Sequence, residues 1–228
     1  MARPVLVFDV NETLLDLTVL EPLFARLFGR ASVLREFFPE MILYSEALTL
    51  SGYHVPFDRL AAGTLRMVGA NHGVAVGEAD VAELRERIGA MPAHADAEPA
   101  LTRLRDAGFR LATLTNSPPS DGPTALDRSG LAALFERTMS VEAVGRYKPH
   151  PDTYRHAADR LGVAVAELCL VACHLWDVIG IQGAGGKGAL VRRPHNHPLP
   201  AEGVPAPDLD VPDFHALADR LIAGALDR

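Results

Sequence analysis

The chain has 228 residues, 48% of them apolar and 22% charged, with a formal net charge of -7. That composition fits a globular chain of one domain plus an insertion, and its acidic balance leaves no basic footprint for nucleic acid. No stretch approaches the run of about 18 uncharged apolar residues that would span a membrane. Asp9, Asn11 and Glu12 interrupt the N-terminal apolar run, so no secretory signal is read there and a cytoplasmic location is expected. The two cysteines, Cys169 and Cys173, lack zinc-site spacing and companions and are expected to be reduced thiols.

In chain order, residues 4–8 read as a short buried strand that delivers Asp9 at its C-terminal tip, followed at once by a polar turn. Ligands of open α/β sheets bind at that edge, which makes Asp9 a candidate nucleophile. Asn11, two residues on, is an amide that cannot protonate a leaving group. Residues 18–90 change to helical periodicity. Leu20, Leu23, Phe24, Leu27 and Phe28 form one apolar stripe, and Phe37, Met41, Ile42, Leu48 and Leu50 a second. Leu60, Leu65 and Val68 mark a third helix, and Val81, Leu84 and Ile88 a fourth that starts at Gly77-Glu78-Ala79-Asp80.

After Met91-Pro92 strands and helices alternate. A helix over 98–107 stops at Gly108, and a strand over 109–114 ends in Thr115-Asn116-Ser117. A proline-containing loop to 123 leads to a helix reaching about 129, then a strand at 138–141 and a helix over 151–161 closed by Gly162. A strand at 168–172, a helix over 176–184 and a strand at 189–191 follow. A Pro-rich loop over 194–207 leads to a terminal helix over 214–226. Arg192 and Arg193 read as solvated turn residues, His195 and His197 as surface-loop residues, and Arg146 and His150 as facing solvent.

This order describes an α/β fold, a parallel sheet with crossover helices interrupted after its first strand by an all-helical insertion. Residues 1–16 and 92–228 are expected to form the core domain and 17–91 the cap. Asp9, Thr115-Asn116-Ser117, Lys148 and the segment from His174 to Asp177 each follow a strand. They should therefore converge on one sheet edge, with the cap as lid.

On these residues the chain resembles the haloacid dehalogenase superfamily. The matching motifs are Asp9 to Thr13 with Leu14, then Thr115, Lys148-Pro149, and an acidic loop ending at Asp177. Within it the chain is similar to the type II, or (S)-2-haloacid, dehalogenases, through Thr115-Asn116-Ser117, Tyr147-Lys148-Pro149 with Tyr154 six residues past the lysine, and Trp176-Asp177. The resemblance implies a Rossmann-like core with an inserted four-helix cap. It implies hydrolysis of small (S)-2-haloacids to (R)-2-hydroxyacids through an Asp9 ester, with a small carboxylic acid as partner. It also implies no metal or other cofactor, and commonly a homodimer.

Halide displacement beside a carboxylate needs an aligned carboxylate nucleophile, a clamp for the substrate carboxylate and a dry halide pocket. Asp9 is expected to attack, Lys148 to keep it ionised, and water near Asp177 to cleave the ester, with Thr13 in the same catalytic group. Thr115, Asn116 and the backbone at Val10 and Asn11 are expected to bind the substrate carboxylate. Phe38, Ile42, Phe57 and Trp176 are expected to line the pocket, and Tyr154 to hydrogen-bond near the nucleophile.

Phosphoryl transfer makes different demands, usually a metal ion and a proton donor. Asn11 cannot be that donor, and Cys173 with His174 is a poor setting for magnesium, which wants several oxygen ligands. The sequence departs from the resemblance at two places. Phe38 stands where the family carries an arginine against the substrate carboxylate, with Arg35 one helical turn away. Ala172 and His174 stand where it has Ser and Asn, and His174 is expected to orient the hydrolytic water or act as a base. A fluorinated acid, a strained-ring carboxylate and, less favoured, a magnesium-dependent phosphatase substrate remain as alternatives.

Overall fold

A computed structural model describes residues 3–227. Its sheet contains β1 (Val5–Phe8), β2 (Leu111–Thr115), β3 (Arg137–Ser140), β4 (Leu168–Ala172), β5 (Lys187–Val191) and β6 (Leu209–Val211). They lie in the order β3-β2-β1-β4-β5-β6, every neighbouring pair parallel. All four residues of β1 are buried, as expected of a central parallel strand covered on both faces. The chain runs outward from β1 to β2 and β3, then returns to place β4 on the other side. The carboxyl ends of β1 and β4 therefore flank the topological switch point, where such sheets bind ligands.

Helices α1 (Glu21–Phe28), α2 (Leu34–Leu50), α3 (Phe57–Asn71) and α4 (Glu78–Gly89) form the insertion after β1. Proline in the first turn of α1 and Gly29 at φ 72° after it are the start and stop signals that delimit the helix. The apolar stripes meet inside the insertion, with the Phe24 and Phe37 rings 5.1 Å apart. Polar contacts seat it on the core. The Tyr147 backbone N–H donates to Thr49 Oγ1 at 3.0 Å, the Tyr147 hydroxyl donates to the Val55 carbonyl, and Arg128 donates to the Gly89 carbonyl at 2.6 Å.

The core adds α5 (Ala97–Asp106), α6 (Ala125–Arg128), α7 (Pro151–Leu161), α8 (Leu175–Gly183) and α9 (Phe214–Ile222). Three elements depart from the sequence expectation. The helix toward 129 is a single turn, α6, followed by a 3-10 segment at Leu131–Leu134. The terminal helix stops at Ile222, just before Gly224 at φ 85°. Strand β6 was not anticipated, because three residues behind a Pro-rich loop carry too little alternation to read.

Two polar residues also differ from expectation. Arg193 is not a solvated turn residue. It donates to the Thr13 carbonyl at 3.0 Å, pairs with Asp96 at 3.0 Å and lies over the Phe214 ring, stapling the loop after β1. His150 caps α7 by accepting from the Asp152 N–H instead of facing solvent freely. Among the described residues no helix is long and apolar enough to cross a membrane.

Candidate active site

β1 ends by presenting Asp9, whose backbone N–H is held by the Val171 carbonyl of β4. The residue is only 5% exposed. Thr13 Oγ1 donates to Asp9 Oδ2 at 2.6 Å and accepts from the Cys173 N–H at 3.0 Å, tying the loops after β1 and β4 together. Lys148 Nζ donates to Asp9 Oδ1 at 2.8 Å, to Asp177 Oδ2 at 2.7 Å and to the Leu114 carbonyl at 3.0 Å. All three ammonium protons thus have acceptors, which is what lets a lysine sit fully buried. Tyr154 donates to Asp177 Oδ1 at 2.6 Å. A Cβ on Gly180 would overlap the Tyr154 hydroxyl and Pro149, so α8 approaches α7 closely only because residue 180 lacks a side chain.

The electrostatics follow from this packing. Burial alone would raise the Asp9 carboxyl, but the Lys148 ammonium and the contact with His174 outweigh it and hold Asp9 well below the ordinary range. Burial raises Asp177, and the Asp9 charge adds to that against the pull of Lys148. Lys148 is raised, because the two carboxylates overcome the effect of burial.

A second cluster contacts the other Asp9 oxygen. His174 Nδ1 lies 3.3 Å from Asp9 Oδ2 and Nε2 lies 2.9 Å from Glu12 Oε2. The ring is sandwiched between Phe38 and Trp176, with centroids 5.4 and 5.2 Å away. Glu12 has φ 65°, a left-handed conformation uncommon outside glycine, and its Oε1 pairs with Arg35. Burial would raise Glu12, but His174 and Arg35 bring its carboxyl down to about 2. Burial would lower His174, but Cys173, Asp9 and Glu12 together hold it well above the ordinary imidazole value.

A cavity of about 630 Å³ opens between insertion and core, its walls including Val10, Asn11, Thr115, Phe38 and Phe57. Asn11 donates to Ser117 Oγ at 3.0 Å, and Thr115 Oγ1 accepts from the Ser117 N–H at 3.1 Å, fixing that wall. Asp9 is not among these walls, and neither are Asn116, Trp176 and Ile42, three residues expected to touch substrate. Asn116 accepts from the Lys148 backbone N–H at 3.1 Å, Trp176 stacks on His174, Ile42 is buried, and Tyr154, expected to hydrogen-bond near the nucleophile, donates to Asp177 beside Lys148. Arg35 reaches Glu12, not the cavity. Glu12 itself escaped the sequence reading, since an acid in a turn normally reads as solvated.

Metal chemistry fits this donor set poorly. Lys148 already supplies a fixed cation between Asp9 and Asp177, and Asn11 and Cys173 add no further carboxylate for a hard ion. Glu12, Cys173 and His174 bring possible ligand atoms within 4.8 Å of one another. Cys173 Sγ, however, is 3.7 and 3.6 Å from the two ring nitrogens, so it faces the ring and not one nitrogen's lone pair.

A Rossmann-like core, a four-helix insertion after its first strand and a buried Asp–Lys–Asp cluster at the switch point are the features of a capped α/β hydrolase. The sequence profile of the haloacid dehalogenase-like hydrolases matches residues 4–185, and the chain belongs to this family, in its type II (S)-2-haloacid dehalogenase-like branch. It is 31% identical over 185 residues to (S)-2-haloacid dehalogenase 1 of Pseudomonas sp. (strain CBS-3), covering 80% of this chain and 79% of that protein. A crystal structure of an L-2-haloacid dehalogenase superposes with a TM-score of 0.89 at 27% identity, covering 97% of this chain and 99% of the other. The L-2-haloacid dehalogenase from Xanthobacter autotrophicus with chloropropionic acid covalently bound gives 0.87 at 25% identity, covering 98% and 99%.

Proposed function

We propose that the protein hydrolyses small (S)-2-haloacids to (R)-2-hydroxyacids through an ester on Asp9. The observation that carries this reading is the state of Asp9, a buried carboxylate kept ionised by Lys148, with an amide two residues later where an acid would stand for a leaving group needing a proton. An Asp9 oxygen attacks the carbon bearing the halogen from the side opposite the halide. The C–O bond forms as the C–X bond breaks, the halide leaves with the electron pair, and the carbon inverts. Water then attacks the ester carbonyl, releasing the hydroxyacid and restoring Asp9.

In this reading Thr13 and Lys148 orient and charge-balance Asp9, and Asp177 and Tyr154 fix Lys148. The substrate carboxylate takes Thr115 and the backbone at Val10 and Asn11, while Phe38 and Phe57 keep the halide end dry. Phe38 in place of an arginine removes a charge-assisted contact worth about 1.5–3 kcal/mol, so a raised KM is expected. The relatives support the reading, since one of them holds chloropropionic acid covalently.

The test is halide release from each enantiomer of 2-chloropropionate and from fluoroacetate, with and without chelator. Release from the (S) enantiomer, unaffected by chelator and lost in Asp9→Asn, is the expected result. No release together with magnesium-dependent phosphate release would overturn the reading. A homodimer belongs to the same proposal, supported by Leu43, Tyr44, Leu50 and Tyr53 standing exposed on α2 and the turn after it. Light scattering of wild type against Leu50→Ser checks it, with dissociation expected in the variant.

A further inference from the structure

Ester cleavage needs a group that takes a proton from water beside Asp9. Asp177 is poorly placed for that work. Its side chain is fully buried, one oxygen accepts from Tyr154 at 2.6 Å and the other from Lys148 at 2.7 Å. His174 is placed differently, with Nδ1 3.3 Å from Asp9 Oδ2 and Nε2 held by Glu12 at 2.9 Å. Its ring plane is fixed between two aromatic faces. Glu12 is aimed at it by a left-handed backbone and anchored by Arg35, and neither residue has a task in displacing halide. An imidazole with one nitrogen on a carboxylate and the other at the reacting group has the geometry of a general base and its orienting acid.

We propose that His174 is the base that activates water for cleavage of the Asp9 ester, with Glu12 and Arg35 as its positioning residues. This rests on the dehalogenase reading above. The charged groups around the ring are Asp9 and Glu12, with Cys173 against it, Lys148 beyond Asp9 and Arg35 behind Glu12. In this proposal the resting His174 is an imidazolium between the Asp9 and Glu12 carboxylates. When Asp9 is alkylated its charge disappears, one of those anions is lost, and the Nδ1 proton leaves to solvent while Glu12 retains the Nε2 proton.

Neutral Nδ1 then takes a proton from water as the water oxygen bonds to Asp9 Cγ. The adduct collapses, the bond from Cγ to the former Asp9 oxygen now on the substrate carbon breaks, and the departing alkoxide takes the proton from His174. The new Asp9 carboxyl passes its own proton to Nδ1, restoring carboxylate and imidazolium. Over the cycle the haloacid and one water become the hydroxyacid, halide and one proton. Alkylation of Asp9 thus switches its own base on.

The experiment is single turnover of (S)-2-chloropropionate, with released chloride measured alongside the intact mass of the protein. In His174→Ala, chloride is released once per enzyme and the ester accumulates, its hydrolysis slowed about 100-fold or more. In Glu12→Gln, the rise of ester hydrolysis with pH moves to lower pH by about 1 unit or more, because the imidazole has lost a neighbouring anion. Ester formation shows that each variant is folded. A wild-type ester lifetime in His174→Ala, no ester at all in that variant, or ester accumulation in Asp177→Asn alone would overturn the assignment. An unmoved pH profile in Glu12→Gln would overturn the positioning role. A wild-type protein releasing no halide would instead overturn the dehalogenase reading, and the base with it.

Discussion

The two oxygens of Asp9 face regions built on opposite principles. On one side Lys148, Asp177 and Tyr154 form a sealed unit in which all three ammonium protons and both Asp177 oxygens are engaged. On the other, His174, Glu12 and Arg35 form a chain that runs outward, ending in an arginine whose side chain is 27% exposed. A saturated network in low dielectric holds charge in place, whereas an imidazole between two carboxylates gains or loses a proton as its neighbours change. The sealed side keeps Asp9 ionised, as the proposed nucleophile requires, and the open side is suited to the proposed step that restores it.

Variants can break this contrast in order of expected effect. Asp9→Asn removes the group both sides serve and should lower halide release by about 10⁴-fold or more, measured at saturating substrate. Lys148→Met strands two buried carboxylates and should cost about 3–5 kcal/mol, read from urea unfolding at pH 7, with activity lost. Raising the pH will not mimic that variant, because Lys148 is shifted upward, away from neutrality.

The open side has a pH signature of its own. Glu12 falls from 4.5 to about 2 on folding, so it contributes stability above pH 4.5 that is lost as pH drops toward 2. Wild type should therefore exceed Glu12→Gln by up to about 3 kcal/mol at neutral pH, with the gap closing across that acid window in a series of urea melts. Gly180→Ala pushes against Tyr154 and Pro149 and should cost about 1–3 kcal/mol, chiefly by displacing the sealed side. Arg35→Ala should change global stability least, by about 1 kcal/mol or less, since the pair is partly solvated. A large loss there would show that the open side is as rigid as the sealed one.

The legibility of these regions differs for a physical reason. The places of Asp9, Thr115, Lys148 and Asp177 could be read because each lies at or beyond the carboxyl end of a strand and parallel strands end at one edge. Asn116 was read as a substrate contact, yet its side chain accepts from the Lys148 backbone, a matter of side-chain direction that spacing does not encode. Glu12 and Arg35 meet only because the backbone at Glu12 is left-handed and α2 lies over it. Arg193 shows the same limit, since an exposed-looking basic pair conceals one side chain packed under the loop after β1.

Hydrophobic periodicity and strand-end polar residues determined the α/β order, the helical insertion after β1 and the placement of Asp9 at the carboxyl edge of the sheet, because these follow from local pattern and chain order. Only tertiary structure decided which groups share Lys148, that Phe38 and Trp176 clasp His174, and that Glu12 and Arg35 stand behind it. Those contacts join residues up to 162 positions apart, and nothing local in the chain sets the direction in which such side chains meet.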